Sequence, residues 1–203
     1  ERRHRLVDVL LANDYCVIAL NSAAGLPARA GAKTPVFVAP DVLTELSELL
    51  SGISHSPLRV LVVHHHLLPV YEGVWKATID LSAPPDEPDP TLLANSVLVQ
   101  KWMAKQGFSL LLHGHKHTAH CRESRMWRPR DPNLPGRHAV VIGAPSSGVR
   151  LDQVSRGEAL AFDVIDVRGQ SRESFALRIE VREVVADERT TRPAGEFNTR
   201  VGS

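Results

Sequence analysis

The segment SLLLHGHKH, residues 109–117, places three histidines directly after a short apolar run. An apolar run of this length, without alternating polar residues, is typical of a strand that is covered on both faces, as in a parallel sheet. His113, His115 and His117 therefore follow the carboxyl end of a predicted buried strand. Because His115 and His117 are two residues apart, their side chains would point the same way in an extended segment.

A second segment repeats this pattern. The sequence RVLVVHHHLLP, residues 59–69, carries another apolar run into His64, His65 and His66. In open α/β sheets, ligands bind beyond the carboxyl ends of the parallel strands. If the two strands are neighbours, their histidines meet in one crevice. Since imidazole is a good ligand for zinc, iron, copper and nickel, the two clusters together predict a transition-metal site.

Other segments predict the sheet that would surround these two strands. YCVIAL at 15–20 reads as a further buried strand, and DVLTELSELL at 41–50 has apolar residues at helical spacing. The segment 89–107 predicts a second helix, with Asp89 as its N-terminal cap and Gly107 just past its end. Strand–loop–helix–strand order favours βαβ connections and a mainly parallel sheet.

The last third of the chain has a different pattern. Three segments separated by short polar turns read as successive strands, which predicts an antiparallel part: 138–148, 158–167 and 174–184. The alternation of apolar and polar residues from Phe175 to Val181 fits a strand with one buried face. We expect one domain over residues 1–186, followed by a polar, aperiodic and disordered tail over 187–203.

Composition excludes some function classes. The 203 residues are 43% apolar and 23% charged, which is ordinary for a globular protein. A net charge of +1 predicts no nucleic-acid or membrane partner by bulk attraction, and no apolar run approaches the ~20 residues of a transmembrane helix. The two cysteines, Cys16 and Cys121, are too few for a disulfide framework, and the charged start at Glu1 lacks a signal-peptide pattern. We therefore expect a cytoplasmic protein, and nothing in the sequence predicts its oligomeric state.

The element LLLHGHKH, preceded by a helix and by VVHHHLLP, resembles the C-terminal half of the calcineurin-like metallophosphoesterase family. Gly-His-x-His is among the most recognisable motifs of that family. In the upstream motif, His66 stands where many members have proline. The resemblance covers about residues 10–182. It implies an α/β protein that is the back half of a four-layer α/β/β/α sandwich with mixed sheets.

The resemblance also implies metal ligands. His64 and His115 would bind one ion, and His117 would bind the other. His65 would replace His64 if the register of the strand slipped by one residue. Two ions of manganese, iron or zinc, about 3.5–4 Å apart, would clamp the phosphoryl group of a small phosphoester. The implied activity is that of a phosphomonoesterase or phosphodiesterase.

Two neighbouring residues have implied roles that are less direct. His113 does not occupy a ligand position of the family and would pack behind the ligands. Lys116 would face solvent or contact a phosphate group of the substrate. The resemblance identifies no catalytic acid in this chain.

The family motifs that would precede these elements are missing. Asp-x-His, Gly-Asp-x-x-Asp and Gly-Asn-His-Asp/Glu do not occur in the sequence. We therefore expect a truncated enzyme with low or no activity alone. Two other readings stay open. One is a mononuclear zinc hydrolase that uses three histidines and a carboxylate such as Asp80 or Asp86. The other is a non-catalytic metal-binding module.

Overall fold

A computed structural model describes residues 7–12, 14–22, 36–53, 58–69, 92–115, 117, 119–127, 137–147, 160–171, 174–185 and 190–202. Those residues form two helices, a six-stranded sheet and a three-stranded sheet. The helices are α1 (Pro40–Ser51) and α2 (Ser96–Lys105). The strands of the large sheet are β1 (Val7–Leu11), β2 (Tyr15–Leu20), β3 (Leu58–Val63), β4 (Leu110–His113), β5 (His120–Trp127) and β6 (Arg137–Gly143). The small sheet consists of β7 (Ala161–Ser171), β8 (Ser174–Val185) and β9 (Thr190–Gly202).

The large sheet has a parallel centre. Its strand order is β1-β2-β3-β4-β6-β5, in which β2, β3, β4 and β6 are parallel and both edge strands are antiparallel. Val63 pairs with His113 across β3 and β4, so the last residues of these strands are level with each other. The predicted parallel neighbours are therefore confirmed, and the carboxyl ends of four parallel strands lie side by side.

The two faces of the large sheet pack against different layers. On one face, Leu61 and other sheet residues contact Val99 and Met103 of α2 and the apolar side of α1. On the other face, Leu110 and neighbouring residues contact Ile179 and the inner face of the small sheet. The fold is a mixed α/β architecture in which the described residues form three layers, α/β/β.

The outer face of the small sheet explains why a fourth layer is not needed there. On this face Arg178 forms an ion pair with Glu196 at 2.8 Å, and Arg182 forms one with Glu180 at 2.7 Å. A row of charged residues is typical of a sheet face that contacts water rather than a helical layer. The described residues therefore confirm a mixed α/β fold, but they do not confirm the four-layer sandwich of which this chain was expected to be the back half.

Most of the predicted core elements are confirmed, but the second helix begins later than the sequence predicts. Strands at 15–20 and 59–63 and the helix over 41–50 all occur. Helix α2 starts at Ser96, because the backbone before it is used differently: Leu92 forms a parallel bridge with His66, and the Leu93 N–H donates to the His66 carbonyl at 3.0 Å. Asp89 lies outside the described residues. Gly107, with φ of 72°, follows the end of the helix as predicted.

The C-terminal part is also different from the prediction. Where a disordered tail over 187–203 was expected, β9 pairs with β8 along its length. An edge strand buries only one face, so its sequence contains few apolar residues and resembles a disordered segment. Here Val201 lies in the core between the sheets, whereas Glu196 and Arg200 are exposed. The edge strands β1 and β5 of the large sheet were also not predicted from the sequence.

Candidate metal centre

The histidine clusters meet at the carboxyl ends of β3 and β4. His64 and His65 follow Val63, and His115 follows the end of β4 by two residues. The Gly114 N–H donates to the His64 carbonyl at 3.2 Å, so the chain beyond β4 stays paired with the chain beyond β3. This hydrogen bond extends the parallel pairing past the strands and brings the two loops together.

The loop after β4 turns at histidine rather than at glycine. His115 has φ of 75° and His117 has φ of 59°, both in the left-handed region. Histidine tolerates this region better than most residues, at a cost of roughly 1–2 kcal/mol per residue. Strained backbone of this kind is often found where a side chain must be aimed at a ligand. It turns His115 toward β3.

Three imidazoles form a compact group, which we call the histidine trio: His64, His65 and His115. The His115 Nδ1 lies 2.8 Å from the His64 Nε2. The three ring centroids are 4.7–4.9 Å apart, and one nitrogen from each ring lies within 4.8 Å of the other two. This spacing brings three nitrogen donors close enough to contact one cation after small side-chain rotations.

His65 is held in place by a residue that the sequence did not single out. Its Nδ1 lies 2.8 Å from the Ser22 Oγ, and its backbone N–H donates to the same oxygen at 3.3 Å. Both residues are buried, with exposures of 5% for His65 and 1% for Ser22. Ser22 follows β2, the parallel neighbour of β3. The sequence feature that could have identified Ser22 was its position just after the buried strand predicted at 15–20.

Two members of the trio, His64 and His65, are mainly neutral near pH 7. Burial lowers the pKa of His64, and the charge of His117 lowers it further. Burial also lowers the pKa of His65 to about 4, with smaller contributions from His115, His64 and His66. Neutral imidazole is the form that binds metal ions, so these two histidines do not need to lose a proton before binding.

His117 lies near the trio but outside it. It is half-buried and close enough for its charge to act on His64. Its nitrogens are not part of the group in which all donors lie within 4.8 Å of one another. Lys116, Asp80 and Asp86 lie outside the described residues. The assignment of His64, His115 and His117 as metal ligands therefore stays a prediction.

His113 packs against two further histidines, His66 and His120. The rings of His66 and His120 lie 5.7 and 5.0 Å from the ring of His113. The His113 Nδ1 donates to the Gly114 carbonyl at 3.2 Å, which fixes the tautomer and leaves the buried Nε2 as an acceptor. Burial lowers the pKa of His113 to about 4.

A cavity of about 540 Å³ adjoins the trio between the two sheets. His64 and Gly114 line one end of it, and Leu112, Ile142 and Ile165 are among its apolar walls. Asp163 of β7 also lines it, and this carboxylate was not identified from the sequence. The sequence feature that could have identified Asp163 was its place in the strand predicted over 158–167.

No protein-family model and no curated protein matches the chain. Among solved structures, it is similar to a protein described as a novel phosphatase from Mycoplasma pneumoniae, with 12% sequence identity and a TM-score of 0.32. The match covers 98% of this chain and 58% of the other, so this chain spans less than two thirds of that protein's length. Neither described helix is long and apolar enough to cross a membrane.

Proposed function

We propose that this protein is a metal-dependent phosphoester hydrolase whose first metal ion is held by the histidine trio. The observation that supports this proposal is the 2.8 Å approach of His115 Nδ1 to His64 Nε2 from two different strand ends. At this distance the two ring nitrogens share a proton, and a small rotation of either ring would bring both to the separation of two ligands on one cation. The trio also lies at the carboxyl ends of parallel strands, where α/β sheets bind ligands.

The donor set suits a transition metal. Zinc, manganese and iron all accept imidazole nitrogen as a ligand, and the Zn–N distance is about 2.0–2.1 Å. Three such ligands would leave a position open for a substrate. The low pKa values of His64 and His65 keep their nitrogens available at neutral pH. Among the described residues the group consists of three neutral ligands and no carboxylate. A bound cation would therefore keep its positive charge and attract a negatively charged substrate.

The residues of this chain would divide the work as follows. His64, His65 and His115 would hold the ion, and Ser22 would orient His65 by accepting a hydrogen bond from Nδ1, which leaves Nε2 free to bind. The left-handed backbone at His115 aims its ring. When bound, the ion supplies Lewis acidity and offsets charge on the phosphoryl oxygens.

A second ion is the finer part of the proposal. The family resemblance assigns His117 to it, and His117 lies close to the trio without belonging to it. A dinuclear site of this kind acts on a phosphomonoester or phosphodiester. The remaining ligands of the second ion would have to come from outside the described residues.

Metal titration followed by phosphate binding tests this proposal without depending on turnover. Calorimetry with Mn²⁺ or Zn²⁺ should show saturable binding that is lost in His115→Ala. Inorganic phosphate should then bind the metal-loaded protein and not the metal-free protein. Metal binding without any phosphate binding would contradict the hydrolase and favour a non-catalytic metal-binding module. Hydrolysis of bis-p-nitrophenyl phosphate that is independent of added metal would also overturn the proposal.

A mononuclear zinc hydrolase is the second candidate, and one observation favours it. Three imidazoles in one group are the donor set of a mononuclear catalytic zinc site. The two candidates differ in stoichiometry: one tight equivalent of zinc supports the mononuclear site, and two equivalents support the dinuclear site. Substituting His117 separates them further, because only the dinuclear site would lose an equivalent in His117→Ala.

A further inference from the structure

Asp163 stands out on the inner face of the small sheet. Along β7 the inward positions are Ala161, Asp163 and Ile165, and Asp163 pairs with the buried Val181 of β8. Its neighbours on this face are therefore apolar, and Ile165 packs against the core between the sheets. A charged residue at such a position interrupts the apolar pattern that holds the two sheets together.

The carboxylate of Asp163 has no hydrogen-bond partner among the described residues, although both of its oxygens are inaccessible to water. Burying a carboxylate without a partner costs several kcal/mol, so such groups are rare in folded proteins. Asp163 also raises the pKa of the nearby Cys121 thiol, after the larger effect of burial on that thiol. An anion of this kind is suited to a ligand that carries the compensating charge.

The cavity beside Asp163 has room for such a ligand. Its volume of about 540 Å³ lies within the range of small-molecule sites. Val62, Leu112, Ile142 and Ile165 contribute apolar side chains to its wall. A pocket with apolar walls and one polar anchor selects ligands that have an apolar body and one polar group.

We propose that this cavity binds a small organic cation. Its apolar body fills the space between the sheets, and its primary ammonium group donates to the carboxylate of Asp163 once a side-chain rotation has turned that carboxylate into the cavity. An ionised carboxylate is an acceptor only, so its partner must be a donor. A cationic donor also offsets the charge, which a hydroxyl group would not do. This proposal does not depend on the histidine trio or on hydrolysis.

The binding of 2-phenylethylammonium, compared with that of 2-phenylethanol, tests the proposal. The two probes have nearly the same shape and differ in charge. Calorimetry and NMR would compare the wild-type chain with Asp163→Asn, which removes the charge. Asp166→Asn is the matched control on the same strand, because Asp166 is paired with Arg168 at the surface at 2.8 Å. His115→Ala disables the trio without altering a residue that lines the cavity.

We expect the ammonium probe to bind the wild-type chain at least tenfold more tightly than the alcohol. Asp163→Asn should abolish that preference, whereas Asp166→Asn and His115→Ala should retain it. The proposal is overturned if the wild-type chain binds neither probe, binds both equally, or keeps its preference in Asp163→Asn. If Asp163→Asn does not fold, the comparison of the two probes on the wild-type chain and on Asp166→Asn decides alone.

Discussion

The Nδ1 atom of His115 lies 2.8 Å from the Nε2 atom of His64, although the two residues are 51 positions apart in the sequence. The parallel pairing of β3 with β4 makes this contact, because it aligns Val63 with His113 and so places the following loops side by side. The hydrogen bond from the Gly114 N–H to the His64 carbonyl then holds the loops together. The metal proposal depends on this contact, and the first two predictions test it.

Removing one imidazole of the trio should weaken metal binding strongly. His115→Ala leaves two ligands from the trio, so we expect the affinity for Zn²⁺ to fall by at least about 100-fold. His138→Ala is the matched control, because His138 is exposed on β6 and lies outside the trio. Calorimetric titration of both variants measures the effect. Equal affinities in the two variants would show that the trio does not bind the ion.

Removing the support of His65 should have a smaller effect on the same measurement. Ser22→Ala deletes the oxygen that contacts the His65 Nδ1 and backbone N–H. Loss of a hydrogen bond that orients a metal ligand costs about 10–100-fold in affinity. Ser51→Ala is the control, since the Ser51 hydroxyl donates only to the exposed end of α1. An unchanged affinity in Ser22→Ala would contradict the orienting role of Ser22.

A methyl group at Gly143 should displace the His120 ring. A Cβ built at Gly143 would overlap the ring of His120, which lies across the paired position on β5. We expect Gly143→Ala to lower the free energy of unfolding by about 1–3 kcal/mol, as overpacked sites do. Gly169→Ala is the control, because the nearest side-chain atom there is an ordinary 3.9 Å away. Urea denaturation compares the two, and equal midpoints would contradict the prediction.

The stability of the protein should fall as the pH rises through the titration range of Asp163. Burial raises the pKa of Asp163 from 3.8 to about 6 in the folded state. The folded protein therefore binds more protons than the unfolded chain between these values, and its stability decreases as the pH rises from about 4 to above 6. The shift corresponds to about 3 kcal/mol at most, and screening by nearby solvent reduces it to about 1–2 kcal/mol.

Asp163→Asn should remove this pH dependence. We expect the variant to be at least as stable as the wild type at pH 8, and its unfolding midpoint in urea should change less between pH 4 and pH 8. Asp166→Asn provides the comparison, because that residue is exposed and paired with Arg168. An identical pH slope in the wild type and in Asp163→Asn would show that the carboxylate is not buried and unpaired.

The last strand should be protected in solution. Val201 is 5% exposed and packs in the core between the sheets, so Val201→Ala should cost about 1–3 kcal/mol. Arg200→Ala, at an exposed position of the same strand, should cost less than about 0.5 kcal/mol. Amide hydrogen exchange over 190–202 measures the protection directly. Rapid exchange throughout this segment would agree with the disordered tail that the sequence predicts.

The amino-acid pattern alone is sufficient for three of the four parallel strands, β2, β3 and β4, and for the place of the histidines. The segment 138–148 was expected in an antiparallel part, but β6 pairs in parallel with β4. Segments 15–20 and 59–63 are apolar enough to be strands buried on both faces, and His64 and His115 follow such strands. The alternation from Phe175 to Val181 predicts the one-sided strand β8 in the same way. These predictions succeed because a strand that is buried on one or both faces has a recognisable pattern of apolar residues along the chain.

Contacts between distant segments decided the rest. The edge strands β5 and β9 lack a periodic pattern of apolar residues. Their pairing with β6 and β8 stabilises them instead. The grouping of His65 with His64 and His115, and the outlying position of His117, depend on side-chain directions beyond the strand ends. Ser22 and Asp163 acquire their roles only when β2 and β7 are placed beside their neighbours, since a hydrogen bond or a buried charge requires a partner or a core that one segment does not contain.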